Sequence, residues 1–413
     1  MAAALAIFAV LLWFIFKVLN IYNSQYQKPR IYCKDADFQT YLTKLVPTLQ
    51  SPYIPTRFWG FDGHIQTILH SVLGRMKSPW PRGERCEILL EDGSTLTYDV
   101  YQRLSKDKGN VTIMIVPGIC NSSESVYVRT FVYYAQCHGY RCAVLNHLGV
   151  LASVELTAPR MFTYGHTDDL RAVVKHLNQR YPTSKIILLG YSLGGNLITK
   201  YLGEEGENVS KYIGGGISVC QGYNILEGTK WWLQWTNFRR IYLYFITEAV
   251  KSLILRHRKI LLSEQAKQMY ELSETDIISA ATLPELDEAY TRKVHNFKSV
   301  PEFYQWSSSV NYLSRIKVPQ LFLNSMDDPL IPEVLLNPIR EHAQNTVRAA
   351  FIEVDYGGHL AFYEGGFLFP NTITWLDRTL LNVIGSLDEL DQLQPAQGDC
   401  QIDPLLSGTL DGI

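Results

Sequence analysis

A single serine between glycines is the residue in this sequence whose type and setting most clearly suggest a catalytic role. Ser192 lies in Gly-Tyr-Ser-Leu-Gly, between Gly190 and Gly194, directly after an apolar run at 186–189. Small neighbours let a strand and a helix approach closely at a tight turn that exposes the serine hydroxyl. The start of the following helix would favour negative charge developing there. We interpret Ser192 as a nucleophile; the alternative is an ordinary turn serine.

A serine hydroxyl is a weak nucleophile, so it needs a base, and the base needs an acid that orients it. At a turn of this kind the chain order is serine, acid, histidine. His359 follows an apolar run and a pair of glycines, where loops of open α/β sheets carry active-site residues. His295 falls in a helical insertion and His342 in a polar helical stretch. His359 is therefore the predicted base.

Two adjacent aspartates could orient His359, because both follow the predicted strand at 318–325. Neighbouring side chains point apart, so only one of the two can reach the imidazole. Asp328 is the predicted acid, since it lies in the turn directly before the next element, which Pro329 opens. Asp327 would then cap the following helix.

An oxyanion formed at the serine requires two backbone N–H donors. The residue after the nucleophile, Leu193, is one predicted donor. Ile119 is the other, because it comes just after Gly118 at the end of a buried strand. Cys120 has no accompanying base motif, so we interpret it as a packing residue.

The elements that must hold these residues alternate between strands and helices. Continuous runs of Val, Ile and Leu are typical of a mostly parallel sheet with helices on both faces. A hairpin at 86–101 leads into this pattern, and residues 222–312 interrupt it with a helical insertion typical of a cap over an active site. The further predicted strands are at 111–118, 141–147, 185–190, 211–220, 318–325 and 348–355, and the predicted helices are near 124–138, 166–182, 193–203, 332–343 and 366–385.

Composition excludes several classes of function. The chain has 413 residues, 46% of them hydrophobic, and a net charge of −2. Without a basic field, nucleic acid is not a predicted partner. The seven cysteines form no Cys-x-x-Cys pair and no cluster with histidine, so neither a metal site nor a disulfide framework is predicted. No cofactor is predicted either.

The N-terminus is apolar almost throughout. Residues 1–22 have no charged side chain before Lys17 and would cross a bilayer as a helix. A basic leading region and a small-x-small cleavage site are missing, so an uncleaved anchor is predicted. Basic residues after the anchor favour a cytosolic catalytic domain. Three glycosylation sequons, at Asn110, Asn121 and Asn208, favour the opposite orientation.

These patterns predict four regions. A membrane anchor at 1–22 is followed by a connecting and docking region at 23–85 and an α/β domain at 86–386, whose cap covers about 222–312. Residues 387–413 are acidic and poor in aromatic side chains, so this tail is predicted to be disordered.

Several stretches together resemble a known family. The chain is similar to the α/β-hydrolase domain-containing protein 2 lipases, membrane-anchored hydrolases marked by a Gly-His-Leu/Ile-Gln-Thr stretch. The similarity covers roughly residues 50–385. The stretches that carry it are GHIQT at 63–67, VPGICNSSESVYVRTFVYYAQCHGYRCAVLNHLG at 116–149, LTAPRMFTYG at 156–165, GYSLGGN at 190–196, SVCQGY at 218–223, DDPL at 327–330 and GGHLAFYEG at 357–365.

This resemblance implies an α/β-hydrolase fold with Ser192, Asp328 and His359 as the triad. It implies an acylglycerol lipase and serine esterase that acts on monoacylglycerols such as arachidonoylglycerol, without a metal, in a group with a steroid-responsive member. It further implies a single-pass type II membrane protein, so a membrane lipid substrate, the bilayer and a steroid effector are the expected partners. The chain lacks the His-x-x-x-x-Asp acyltransferase box, which favours hydrolysis over acyl transfer.

Two other functions stay open at this point. One is a short-chain carboxylesterase or thioesterase with the same triad. The other is a ligand receptor on a hydrolase scaffold, for example for a steroid. The Trp- and Arg-rich stretch 229–242 suits a helix that rests on a membrane, lines an acyl tunnel or packs on the core. His64 is interpreted as a structural residue that bonds loop backbone.

Overall fold

A mixed sheet lies at the centre of the chain. The computed structural model describes residues 2–18, 26–75, 77–105, 110–209 and 211–392, and within them nine strands form one sheet in the order β1-β9-β8-β7-β6-β4-β5-β3-β2. The strands are β1 (Arg30–Tyr32), β2 (Glu84–Leu89), β3 (Thr95–Tyr101), β4 (Val111–Val116), β5 (Arg141–Asn146), β6 (Lys185–Tyr191), β7 (Ile213–Val219), β8 (Gln320–Ser325) and β9 (Ala349–Val354).

The six central strands run parallel and are almost wholly buried, as their continuous apolar sequences predict. Antiparallel pairs close both ends of the sheet, with β2 and β3 beside β5 at one end and β1 beside β9 at the other. Chain order reverses around β4, which lies between β5 and β6. At such a point a crevice opens beyond the carboxyl ends of the strands, where α/β proteins bind ligands.

Helices cover both faces of the sheet. One apolar cluster holds side chains of α2, α4 and α16 on one face, and a second holds those of α5, α6, α15 and the helices between β7 and β8. The helices are α1 (Ala2–Val18), α2 (Ala36–Leu45), α3 (Gly63–Val72), α4 (Val126–Cys137), α5 (Asp168–Arg180), α6 (Leu193–Glu205), α7 (Ile225–Trp232), α8 (Arg239–Arg256), α9 (Arg258–Leu261), α10 (Glu264–Tyr270), α11 (Glu274–Ser279), α12 (Leu283–Leu286), α13 (Arg292–Val294), α14 (Val300–Ser307), α15 (Asn337–Asn345) and α16 (Trp375–Gln392). Short 3₁₀ helices lie at Pro47–Leu49, Gly206–Asn208, Thr236–Phe238, Ser309–Arg315 and Glu333–Leu336, and a π-helical turn at Asp287–Thr291.

The region predicted to connect and dock, 23–85, is more regular than its sequence indicates. It supplies β1, α2 and α3, and it begins β2. The strand β1 pairs with β9, and Arg30 there forms an ion pair with the buried Glu353. Three residues carry too little periodicity to predict a strand, and this pairing partner is more than 300 residues away, so the sequence alone could not reveal β1.

The helical insertion predicted at 222–312 lies between β7 and β8. Every regular element that the structure describes there is helical, from α7 through α14. It packs on the face of the sheet that carries α6, since Leu243 and Val250 of α8 share an apolar cluster with Leu197 of α6. We call this insertion the cap.

The two ends of the chain differ from their predictions. Among the described residues, no helix combines the length and apolarity needed to cross a bilayer; α1 has 17 residues. The spanning anchor predicted at 1–22 is therefore not confirmed, and its residues 1 and 19–22 lie outside the described residues. At the other end, α16 continues to Gln392, so the first residues of the tail predicted to be disordered are helical. The rest of that tail lies outside the described residues.

Candidate active site

Ser192 occupies a strained turn between β6 and α6. Its backbone has φ 51° and ψ −117°, a conformation that residues other than glycine rarely adopt. The turn is possible because Gly190 and Gly194, two positions away on either side, lack a Cβ atom. A Cβ atom on Gly194 would lie 1.9 Å from the carbonyl oxygen of Val116, and one on Gly190 would lie 2.2 Å from that of Gly194. The sequence therefore places the Ser192 hydroxyl above the carboxyl ends of the central strands.

The structure brings the predicted serine, histidine and aspartate together. His359 Nε2 lies 3.0 Å from Ser192 Oγ, and His359 Nδ1 lies 2.8 Å from Asp328 Oδ2. The second oxygen of Asp328 accepts the backbone N–H groups of Leu330 at 2.8 Å and Ile331 at 3.1 Å. A carboxylate held in this way accepts the Nδ1 proton, which leaves Nε2 able to take a proton from the serine.

Asp327 points away from the imidazole, as expected for the neighbour of Asp328. Its predicted role as a helix cap is wrong, because its carboxylate accepts the backbone N–H of Gly358 at 2.8 Å. Burial, reinforced by the charge of Asp328, raises the pKa of Asp327 to about 7. Asp327 thus holds the loop that carries His359.

The backbone N–H groups of Ile119 and Leu193 are suited to bind an oxyanion. Both residues line one cavity with Ser192 and His359, and neither N–H donates to any residue that the structure describes. The N–H of Gly118 is excluded as a donor, since it already binds the Tyr127 hydroxyl at 3.0 Å.

Cys120, next to Ile119, is not a competing nucleophile. Burial raises the pKa of its thiol to about 12, so the thiol stays protonated at neutral pH.

The loop that carries His359 is anchored to α3, which begins with the Gly-His-Ile-Gln-Thr stretch. Thr67 Oγ1 accepts the His359 backbone N–H at 2.8 Å. The buried Gln66 accepts the Tyr363 backbone N–H at 2.9 Å and donates to the Gly60 carbonyl at 2.6 Å. The local sequence predicts no role for Thr67 or Gln66, and the signal that points to them is the resemblance of the Gly-His-Ile-Gln-Thr stretch to a family mark.

His64 differs from its prediction. Its Nδ1 lies 3.0 Å from the Tyr242 hydroxyl, and its ring stacks on the Tyr242 ring at 5.8 Å between centroids. It therefore contacts α8 of the cap instead of loop backbone, and it joins the cap to α3.

A mainly apolar cavity opens beside Ser192, between the sheet and the cap. The Trp-rich stretch contributes to its wall, since Trp232 and Arg239 line the cavity while Trp235 is 66% exposed. The stretch therefore both lines the cavity and faces solvent. The remaining lining residues are Tyr164, Gln221, Ile225, Tyr242, Leu243, Ile246, Leu283, Leu330 and Ile331.

The two rejected histidines lie in other contacts. His295 packs beside His166, and burial lowers its pKa to about 3. His342 lies in α15 against Phe322, and burial lowers its pKa to about 4. Neither lines the cavity beside Ser192.

The three sequons differ in exposure. Asn110 and Asn208 are exposed, whereas the amide of Asn121 donates to the Ile119 carbonyl at 2.7 Å and accepts from Ser125 at 2.9 Å. Attachment of a glycan at Asn121 would break its hydrogen bond to Ile119, a proposed oxyanion donor. Across the described part of the chain, no three His, Cys, Asp or Glu side chains are grouped as metal ligands.

Comparisons with known proteins identify the family of the chain. The family described as alpha/beta hydrolase fold matches residues 111–366. Abhydrolase domain-containing protein 2 of Drosophila melanogaster is 58% identical over 385 residues, which cover 93% of this chain and 96% of that protein. Monoacylglycerol lipase ABHD2 of Homo sapiens is 40% identical over 388 residues, which cover 93% of this chain and 91% of that protein. Phospholipase ABHD3 of Homo sapiens is 26% identical over 371 residues, which cover 88% of this chain and 86% of that protein.

Proposed function

Because the chain belongs to the α/β-hydrolase family, alongside the abhydrolase domain-containing 2 proteins, we propose that it is a serine hydrolase of monoacylglycerol esters. Arachidonoylglycerol is one such substrate, and the products are a fatty acid and glycerol. The observation that carries the proposal is the position of His359, which bridges Ser192 and Asp328 at the wall of an apolar cavity.

The reaction begins when Ser192 Oγ attacks the ester carbonyl carbon while His359 Nε2 takes the serine proton. The carbonyl oxygen becomes an oxyanion, which the N–H groups of Ile119 and Leu193 stabilise. His359 then gives its proton to the departing glycerol oxygen, and the acyl group stays on Ser192. A water molecule deprotonated by His359 attacks the acyl-enzyme, and the released Ser192 oxygen regains the proton.

The cavity supports an acyl chain as the part of the substrate that the protein buries. Most of its wall is aliphatic or aromatic, contributed by α7, α8, α12 and the loop after β8. Burial of an acyl chain there gains roughly 0.8 kcal/mol for each methylene group. A long chain therefore binds more tightly than a short one, which favours a lipase over a short-chain esterase.

Exposed apolar side chains support a lipid surface as the site of action. His64 joins α3 to α8, and together with the turn before α8 these helices present one apolar face to solvent. We define this face by Ile65, Ile68, Val72, Leu73, Trp235, Phe238, Ile241, Tyr244 and Phe245. The opposite side of α8 lines the cavity through Leu243 and Ile246. A bilayer beneath this apolar face would meet the helix that walls the cavity.

The N-terminal helix supports the same location. From Leu5 to Ile15 its large apolar side chains are exposed, and Phe14 contacts Phe58 with 5.1 Å between ring centroids. We propose that this helix inserts into lipid and keeps the enzyme at the membrane.

Labelling with a fluorophosphonate tests the proposal directly. Wild type should be labelled and Ser192→Ala should not, and monoacylglycerols should compete for labelling more strongly as the acyl chain lengthens. Preference for short-chain or thiol esters would instead indicate the carboxylesterase or thioesterase. Steroid added to the same assay tests the effector that the resemblance implies. Wild type that binds steroid but is not labelled would favour the receptor function and contradict the proposed hydrolase function.

A further inference from the structure

Arg239 is a buried cation in the wall of the catalytic cavity. It begins α8, it is 7% exposed, and it lines the same cavity as Ser192 and His359. Its Nε is buried without a hydrogen-bond partner, and within the described parts of the chain the guanidinium forms neither a hydrogen bond nor an ion pair. A polar side chain is thus held within an otherwise mainly apolar cavity.

Asp328, the carboxylate whose charge acts on Arg239, already has hydrogen-bond partners for both of its oxygens. These partners are His359 and two backbone N–H groups. Burial lowers the pKa of Arg239 and the charge of Asp328 only partly opposes this effect. A guanidinium stays charged in proteins, so its burial without an anionic partner is costly. An anion brought by the ligand would remove that cost.

Guanidinium chemistry narrows the choice of anion. A guanidinium binds the oxygens of a phosphate or carboxylate through two parallel hydrogen bonds. The first turn of α8 adds the positive end of the helix dipole at the same place. In this site such an oxyanion has two sources, which are the head group of the substrate and the carboxylate of the released fatty acid.

We propose that Arg239 binds a phosphate on the head group, so that the enzyme cleaves phosphorylated monoacylglycerols in addition to neutral ones. The inference rests on the proposed function, because Ser192 cleaves the same acyl ester in both substrates. Acylglycerol phosphate and water give a fatty acid and glycerol phosphate, and the phosphate ester stays intact.

The test compares full-length wild type with Arg239→Gln, Arg239→Lys and Arg240→Gln. Each is assayed in one detergent on 1-oleoylglycerol and on 1-oleoylglycerol 3-phosphate. The ratio of kcat/KM, phosphorylated over neutral, should fall at least tenfold in Arg239→Gln and recover in part in Arg239→Lys. It should stay within twofold of wild type in Arg240→Gln, the exposed neighbour. An unchanged ratio in Arg239→Gln, or wild type that cleaves only the neutral ester, overturns the inference.

Binding to Ser192→Ala separates this inference from the proposed function and identifies the source of the anion. Dodecyl phosphate should bind at least tenfold more tightly than dodecanol, and addition of Arg239→Gln should remove the difference. Equal binding of the two, or an Arg239-dependent preference for dodecanoate over dodecyl phosphate, contradicts a phosphate site. Wild type that resists fluorophosphonate overturns the proposed function, and with it cleavage of phosphorylated esters, whatever these ligands do. If Arg239→Gln fails to fold, the test uses the kcat/KM ratio of Arg239→Lys and the preference of Ser192→Ala for dodecyl phosphate over dodecanol.

Discussion

The backbone N–H of His359 donates to the hydroxyl of Thr67 over 2.8 Å, although 292 positions separate the two residues in the chain. Thr67 in turn donates to the carbonyl of Gly63 in its own helix at 2.6 Å. The loop that carries the proposed base is thus held by a helix that precedes the whole parallel part of the sheet.

Thr67→Val should slow the reaction, because valine keeps the shape of threonine but cannot accept the His359 N–H. We expect kcat to fall about tenfold, as for a misplaced catalytic group, with little change in KM. Steady-state kinetics on a monoacylglycerol measure this, and Thr67→Ser, which keeps the hydroxyl, is the matched control. Equal losses in both variants would show that the hydrogen bond is not what matters.

Asp328 and Asp327 should differ sharply in their effect on catalysis. Asp328→Asn removes the acceptor that fixes the Nδ1 proton, and we expect kcat to fall about 10³- to 10⁴-fold. Asp327→Asn keeps an oxygen that can accept the Gly358 N–H, so a loss under about tenfold is expected. The same assay compares the two variants, and the reverse order would assign the acid to Asp327.

Asp287 should make the protein less stable as the pH rises. This carboxyl in the π-helical turn accepts the Tyr304 hydroxyl at 2.5 Å, and burial raises its pKa to about 7. The folded state therefore binds this proton more tightly than the unfolded chain does, and its stabilising effect is full below about pH 4 and lost through about pH 7.

Asp287→Asn should flatten this dependence by up to about 1.4 kcal/mol per pH unit between pH 4.5 and 7. Denaturant unfolding of the full chain at several pH values measures the slope. Asp37→Asn, a change at an exposed carboxyl, should leave the slope as it is. A slope that Asp287→Asn does not alter would contradict the assignment.

The apolar face around α8 should matter only when the substrate is in a membrane. The double variant Trp235→Ser, Phe245→Ser removes two of its most exposed rings, each 66% exposed. We expect at least a fivefold lower rate on monoacylglycerol in vesicles and an unchanged rate on a water-soluble short-chain ester. Leu89→Ser, at a 76% exposed position on β2, is the control and should affect neither rate. Loss of both activities in the double variant would indicate a folding defect instead.

Local sequence patterns predicted the parallel sheet and the three residues of the proposed triad, Ser192, Asp328 and His359. Apolar runs marked the strands, and each proposed catalytic residue follows directly on such a run or on the turn after it, as Ser192 follows β6. Because carboxyl ends of parallel strands meet at one edge, the order of serine, acid and histidine was enough to bring them together.

The features missed from sequence all depend on long-range contacts. No local pattern shows that Thr67 meets His359 or that β1 pairs with β9. Two of the three tryptophans in the stretch 229–242, Trp232 and Trp235, face the cavity and solvent respectively, and only the fold decides between them. The same holds for Asp327, whose partner Gly358 comes from another strand's loop.

The pairing of β1 with β9 has a consequence for biosynthesis. Among the strands that the structure describes, β1 pairs with β9 alone, so it has no partner until β9 has been synthesised, and the loop that carries His359 follows β9. At roughly 5–20 residues per second, the N-terminal segment is made tens of seconds before its partner exists. A chain truncated before β9 therefore lacks both the β1–β9 edge of the sheet and His359, so translation interrupted at that stage releases no partly active esterase.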